Sequence, residues 1–220
     1  MADPERKRET RDVSGFSRVT LAGMGVLRIV QENEESLTIE ASPAMLEKVT
    51  SEVADGELTL GLRKGSWLSG MRQKDRRILL ELTMREVSGI SLSGVGDVEA
   101  GSVHAGRLEL KVSGAGTLMV EDLTAESLVT VLSGTGSCEV AGRVGEQDVT
   151  VSGAGSYGAR KLESATARAL VSGAGSIVIS ARDTLDATVS GVGNIECHGD
   201  PTVFRRVTGV GKVSCICDDD

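Results

Sequence analysis

Aromatic side chains are nearly missing from this chain: Phe16, Trp67, Tyr157 and Phe204 are the full set, 2% of 220 residues. The core must therefore be built from Val, Leu, Ile and Ala, and a sugar-stacking groove of exposed rings has little to draw on. Three prolines and the lack of a Gly-X-Y period exclude a collagen helix despite 28 glycines. Histidine is scarce too, with His104 and His198 alone available for acid–base work. Basic residues are outnumbered, 24 Lys and Arg against 32 Asp and Glu, giving a formal charge of −8. A general affinity for nucleic acid, which rests on neutralising phosphates, is therefore not expected. No apolar run approaches the ~18 residues of a membrane-spanning helix. The opening MADPERKRETR has positive charges without an apolar segment behind them and does not read as a secretory signal. The chain is expected to be cytoplasmic, or exported by a signal outside the sequence given.

What the sequence has in abundance is one short motif. SGVG at Ser93, SGAG at Ser113, SGTG at Ser133, SGAG at Ser152 and Ser172, SGVG at Ser190 and TGVG at Thr208 follow one another at intervals of 20, 20, 19, 20, 18 and 18. The motif places paired glycines at Gly94 and Gly96, Gly114 and Gly116, Gly134 and Gly136, Gly153 and Gly155, Gly173 and Gly175, Gly191 and Gly193, and Gly209 and Gly211. A unit this short cannot hold two helices and a turn, and its flanks are rich in Val, Leu and Thr with period-two alternation. The residue before each motif is apolar (Leu92, Val112, Leu132, Val151, Val171, Val189, Val207), and the residue after it is polar (Asp97, Thr117, Ser137, Ser156, Ser176, Asn194, Lys212). The next position returns to Val98, Leu118, Cys138, Tyr157, Ile177, Ile195 and Val213.

Such columns arise when equivalent strands stack in parallel, one per coil. The expected fold is all-β, a parallel β-helix with 18–20-residue coils cornered by SGxG, rising roughly 4.8 Å per coil. The glycines are expected to let the chain turn in conformations costly for other residues, with the small residue between them fitted into a narrow interior corner. The serines can form a ladder or bond local backbone. Repetition argues against a phosphate-binding loop, and Gly209-Val210-Gly211-Lys212 lacks Walker spacing.

Before Ser93 the pattern loosens, and the sequence divides into a flexible tail 1–11, a single β-helical domain 12–217 and an acidic tail 218–220. Within the domain, 12–82 is irregular and 83–217 holds the regular coils. Ala22-Gly23-Met24-Gly25 reads as a degenerate corner and SLTIEA from Ser36 as a strand. Ser42-Pro43 suits a short helix start, VTSEV also reads as a strand, Asp55-Gly56 is a two-strand turn, and another strand begins at Ile78. The segment 63–77 falls outside the pattern. It holds Trp67 beside Arg72, Lys74, Arg76 and Arg77, which reads either as a solvated mobile loop or as a contact site for an anionic polymer or partner protein.

The cysteines Cys138, Cys197, Cys215 and Cys217 all fall in inward columns, as small buried apolar groups. Cys197 and Cys215 share a column in adjacent coils, within reach of a disulfide, though parallel neighbours often offer poor dihedral geometry. Cys215, Cys217 and His198 fit no standard zinc spacing. Cys197 and His198, adjacent on a strand, should face opposite ways. Glu99 and Glu139 share an outward column two coils apart, near the upper end of the ~6.5–9.5 Å carboxyl separation of inverting glycosidases, with no other charged groups clustered around them. Neither catalytic residues nor a cofactor or metal site are expected.

The repeated SGAG and SGVG corners, the opening DVSGFSRVTLAGMGVLRIVQ and the closing GDPTVFRRVTGVGKV resemble the auto-transporter adhesin head GIN domain family over Asp12 to Val213. The resemblance implies a bacterial right-handed parallel β-helix in the cell envelope or at the cell surface, with an adhesive or scaffolding role and no catalytic residues to carry over. The expected partner is a surface protein or glycan. The alternatives are a polysaccharide-active lyase or hydrolase on the same fold, and a cytosolic assembly protein that forms homo-oligomers through its strand edges, with Asp218, Asp219 and Asp220 as a charged block.

Overall fold

The computed structural model of the protein describes residues 6–63 and 78–216. Its N-terminal third forms β1 (Lys7–Arg11), β2 (Arg18–Leu21), β3 (Met24–Gln31), β4 (Ser36–Ala41), the single-turn helix α1 (Pro43–Leu46), β5 (Val49–Ala54), β6 (Glu57–Leu62) and β7 (Leu79–Met84). There follow β8 (Gly89–Leu92), β9 (Val95–Val112), β10 (Ala115–Leu132), β11 (Ser137–Val151), β12 (Ser156–Ala159), β13 (Leu162–Val171), β14 (Ala174–Ser180), β15 (Thr184–Val189), β16 (Val192–His198), β17 (Thr202–Val207) and β18 (Val210–Ile216). From β8 onward every pairing is parallel and in repeat register, Leu118 lying between Val98 and Cys138, for example. The result is the expected solenoid, of about 6 turns.

The core is a stack of mostly aliphatic columns. Leu110, Thr130, Val149, Ala169 and Ala187 form one and Val98, Leu118, Cys138, Tyr157, Ile177 and Ile195 another, all buried. Each column fills a ring of side chains that no single coil could close, so the apolar burial that stabilises the fold arises between coils.

The corners show why two glycines are needed. At each level the amides of the Ser or Thr and of the first Gly both donate to one carbonyl in the coil beneath, as Ser113 and Gly114 do to Leu92. This draws the stacked corners so close that a Cβ on Gly114 would collide with the carbonyl oxygen of Gly94, and one on Gly116 with that of Gly96. The same collision recurs at each level up to Gly209 and Gly211, over Gly191 and Gly193. None of the first glycines has a positive φ, and among the second glycines of the seven motifs only Gly96 and Gly116 do. Close approach between coils, more than backbone conformation, therefore excludes larger residues, which corrects the expectation from glycine's flexibility. The residue between the glycines is corrected as well. Val95, Thr135, Ala154, Ala174, Val192 and Val210 are exposed, because alternation continues through the corner and assigns the inward positions to the glycines.

The N-terminal third is threaded differently. β2 and β3, joined by the Ala22–Gly25 corner, lie between two other levels: β2 pairs in parallel with both β6 and β8, and β3 with both β7 and β9. The chain thus lays down one coil, drops below it through β6 and β7, then climbs above it into β8. The degenerate corner is a true member of the stack, since Gly94 packs on Gly23 and Gly96 on Gly25. Beneath, β4 runs antiparallel to β7 and β5 antiparallel to β6. The β5–β6 hairpin turns at Asp55 and Gly56, both with positive φ, as the sequence suggested. Both helix and strand readings of residues 43–54 are realised in succession, and α1 buries Met45 and Leu46. Residues 7–11, assigned by sequence to the tail, form β1 against β4. Their charges hid the strand, which is held by Arg6 and Arg8 on Glu40, Arg8 on Glu81, and Arg11 on the carbonyls of Leu46 and Val49.

Candidate functional site

Three surfaces arise from this architecture. The first is the corner ridge. Ser93, Ser113, Ser133, Ser152, Ser172, Ser190 and Thr208 are all exposed in a line, flanked by the residues between the glycines and by the polar column Asp97 to Lys212. Part of the expected ladder is present. Ser137 Oγ donates to Thr117 Oγ1 at 3.3 Å, and the side-chain oxygens of Asp97 and Asn194 accept the amides of Thr117 and Lys212, each one coil on, at 3.1 Å. A shallow groove of about 610 Å³ follows the ridge, lined by Thr117, Thr135, Ser137, Ser156, Ser176 and Val192 with intervening glycines and alanines.

The second surface is a step where the coils shorten. Ala159 pairs with Ile179 and Thr166 with Thr184, so residues 160–165 of one coil are matched by only 180–183 of the next. The shorter coil recedes and leaves a cleft of about 640 Å³ lined by Ala125, Val144, Ala165 and Ala181, with Arg143, Glu163, Arg182 and Asp200 at its rim. Three of the rim charges are paired, Arg143 with Glu163 at 3.2 Å and Arg182 with its neighbour Asp183 at 2.7 Å. The Arg182 hydrogen bond holds the Asp183 carboxyl below its ordinary pKa.

Inside the step, the Ser180 carbonyl accepts from Gln147 Nε2 at 2.9 Å and from Ser164 Oγ at 2.7 Å. Gln147 also donates to Ser164 Oγ, and Tyr157 donates its hydroxyl to Gln147 Oε1. Gln147, Tyr157 and Ser164 are buried, so this cluster satisfies polar groups that would otherwise be costly. Burial, with the Cys138 sulfur alongside, pushes the Tyr157 hydroxyl well above its ordinary pKa and keeps it a donor. The cluster escaped the sequence reading. Its one signal was the shortening of the repeat from 20 to 18 residues after Ser172.

The third surface is the C-terminal end. β17 pairs only with β15 and β18 only with β16 among the described residues. The inward columns finish on Val203, Arg205, Val207, Val213 and Cys215. Val207 among them is exposed, as are Phe204, Val210 and Ile216 beside them. Cys138 and Cys197 are buried as expected, whereas Cys215 is exposed, because among the described residues no coil lies over it to cover its inward face. Cys197 and Cys215 are directly opposite in register, and both are free thiols.

The basic segment with Trp67, Arg72, Lys74, Arg76 and Arg77 lies outside the described residues, as do Cys217 and Asp218 to Asp220. The described flanks of the segment, Leu62 and Ile78, lie under the Ala22–Gly25 corner. Glu99 and Glu139 occupy one outward column with Met119 between them, and Glu99 is in an ion pair with Arg28 at 3.0 Å. His104 is exposed, its amide bonded to Gln31 Oε1. His198 is buried, its Nε2 2.9 Å from Glu196 Oε1. Among the described residues no three His, Cys, Asp or Glu side chains gather as a metal site. None of their helices is long and apolar enough to cross a membrane.

The fold and surfaces define a class: a β-solenoid with polar ruled faces and glycine corners. The sequence profile described as "Putative auto-transporter adhesin, head GIN domain" matches residues 15–201, and the chain belongs to that family. Among solved structures it is similar to a protein of Bacteroides fragilis described as a putative adhesin, with 24% identity, 96% of this chain and 97% of that one covered, and a TM-score of 0.90. A protein of Parabacteroides merdae, also described as a putative adhesin, shares 18% identity over 96% of each chain with a TM-score of 0.75. One of Parabacteroides distasonis, described as a putative lipid binding protein, shares 18% over 96% of each with a TM-score of 0.76. These identities support the common fold. No curated protein matches the chain significantly.

Proposed function

We propose that the protein is a non-catalytic solenoid module of the cell envelope or surface that holds a surface protein or glycan along its corner ridge. The observation that carries this reading is the ridge itself, seven levels of one exposed Ser/Thr column on a closely stacked support. Its serines and threonine stand beside exposed, mostly apolar residues such as Val95, Ala174 and Val192, and its backbone is fixed by inter-coil hydrogen bonds. A partner would meet a preordered lattice and would not have to pay for ordering it. Family membership favours adhesion or scaffolding over catalysis, as does the ion pair that engages Glu99.

Protease shaving of intact native cells tests the location: digestion of the protein while cytoplasmic markers survive is expected, and full protection with the protein in the soluble lysate would overturn it. Thr135→Arg and Ala174→Arg place bulk on exposed ridge positions where the fold has room. Each should abolish binding to whichever envelope component a screen identifies while leaving circular dichroism unchanged.

The step cleft favours a second reading, in which an acyl chain lies against Ala125, Val144, Ala165 and Ala181; one protein of similar fold is described as lipid binding. A fluorescent fatty acid should then bind and be displaced from Ala165→Trp, whose ring fills the cleft. Equal binding to wild type and variant would remove this reading.

A further inference from the structure

We propose that Cys197 and Cys215 form a redox-operated pair whose disulfide staples the last coil to the coil beneath it. The two residues are exact partners in the parallel register of β16 and β18. Neighbouring parallel strands lie about 4.8 Å apart, inside the Cα separation of roughly 4.4–6.8 Å that a disulfide spans. Both side chains belong to the inward column below which stand Val140, Ala159 and Ile179.

Their difference in access gives them different roles. Cys215 is exposed at the open end and is the group that a dissolved reagent meets, whereas Cys197 is fully buried beneath it. Burial, with the Cys215 sulfur alongside, pushes the Cys197 thiol up to about 12. Cys138, the other described cysteine, has Leu118 and Tyr157 above and below it in register and no cysteine partner there.

The oxidant is a small-molecule disulfide of the glutathione class. The Cys215 thiolate attacks one reagent sulfur, the reagent S–S bond breaks, and one small thiol leaves with a proton. Cys197, as thiolate, then attacks the Cys215 sulfur, the mixed disulfide breaks, and the second small thiol leaves with the proton that Cys197 gave up. Two protein thiols are oxidised by two electrons, and one reagent disulfide is reduced to two thiols. The new bond ties β18, which otherwise holds to β16 by hydrogen bonds and packing alone, to the body of the solenoid.

The test uses the full chain carrying Cys217→Ser, incubated folded with oxidised glutathione and followed by intact mass and peptide mapping. The expected course is a glutathione adduct on Cys215, then loss of the adduct to leave a Cys197–Cys215 link. Because Cys197 is mostly protonated near neutrality, closure of the isolated adduct should speed up about tenfold per pH unit between about pH 7 and 9. Amide exchange in residues 210–216 should slow after closure.

Cys197→Ser should trap the adduct, with Cys197→Ala used if the serine variant fails to fold, and Cys138→Ser should change nothing. A Cys215 adduct that persists at pH 9 in folded protein would overturn the proposal. So would closure that survives loss of Cys197 or that needs Cys138.

Discussion

The two ends of the solenoid solve the same problem in opposite ways. At the N-terminal end the lowest coil, β6 and β7, is covered by strands that reverse direction. β4 and β5 lie antiparallel to it and α1 adds Met45 and Leu46, so Leu58, Leu60, Leu80 and Leu82 are at most 1% exposed. At the C-terminal end the repeat runs to the edge of the described residues without such a cover. There the column that carries Leu110, Thr130, Val149, Ala169 and Ala187 ends in Arg205. An inward-pointing charge on an edge strand is a recognised obstacle to edge-to-edge pairing. Among the described residues, one end is therefore closed by packing, and the other carries a side chain that a further coil would have to desolvate.

The largest effect expected from this contrast comes from the glycines. Gly134→Val drives a side chain into Gly114 and Ser113 in the middle of the stack, where neither neighbouring coil can give way. Loss of folding, or a cost above ~4 kcal/mol, is expected. Gly209→Val makes the equivalent collision with Gly191 and Ser190, but its coil can lift, so a cost of about 1–2 kcal/mol should appear in urea titrations. Equal costs at both positions would mean that the last coil is as constrained as the middle. Next in size is core truncation. Leu58→Ala under the N-terminal cover should cost about 2–5 kcal/mol. Val207→Ala at the open end, where the side chain is 43% exposed, should cost less than about 1 kcal/mol.

The contrast also marks what could be read from sequence. The coils were legible because every column repeats one polarity, and the degenerate Ala22–Gly25 corner was legible from its glycines alone. Its level in the stack was not, since β2 packs against strands that come both 39 and 71 residues later, from Arg18 to Glu57 and to Gly89, and β3 against strands 53 and 71 residues later, from Val26 to Leu79 and to Asp97. The small size of the residue between the glycines suggested an interior corner, but alternation carried through the corner turns it outward. The Cys197–Cys215 column was legible, but the exposure of Cys215 was not, because it depends on what lies above the last coil. The Gln147 cluster required knowing which side chains face the shortened bend, and no local pattern reports that.

A smaller effect concerns association. Arg205→Leu removes the inward charge without opening a cavity, so monomer stability should change little. Light scattering should show concentration-dependent oligomers of the variant where the wild type stays monomeric. Unchanged mass across the same concentrations would mean that Arg205 is not the guard and that the exposed strand edges are blocked in another way.

The smallest effect lies at the other end, where β1 is held by charge. Glu40 accepts hydrogen bonds from Arg8 and Arg6, and these hold its carboxyl below the ordinary value of 4.5. A carboxylate whose folded pKa is depressed contributes stability that is fully present above the unfolded value and fades as pH falls through the folded one. The docking of β1 should therefore be intact at neutral pH and weaken from about pH 4.5 downward, while the parallel coils, which lack such a dependence on Glu40, keep their protection. Amide exchange in residues 7–11 measured on both sides of that value should rise on acidification, and Glu40→Gln should give the same rise at neutral pH. Because the pair is exposed, added salt should reproduce part of the effect by screening. Exchange in β1 that ignored pH, salt and the substitution would show that the strand is held by its backbone ladder to β4, and the N-terminal cover would then be a matter of packing and hydrogen bonding alone.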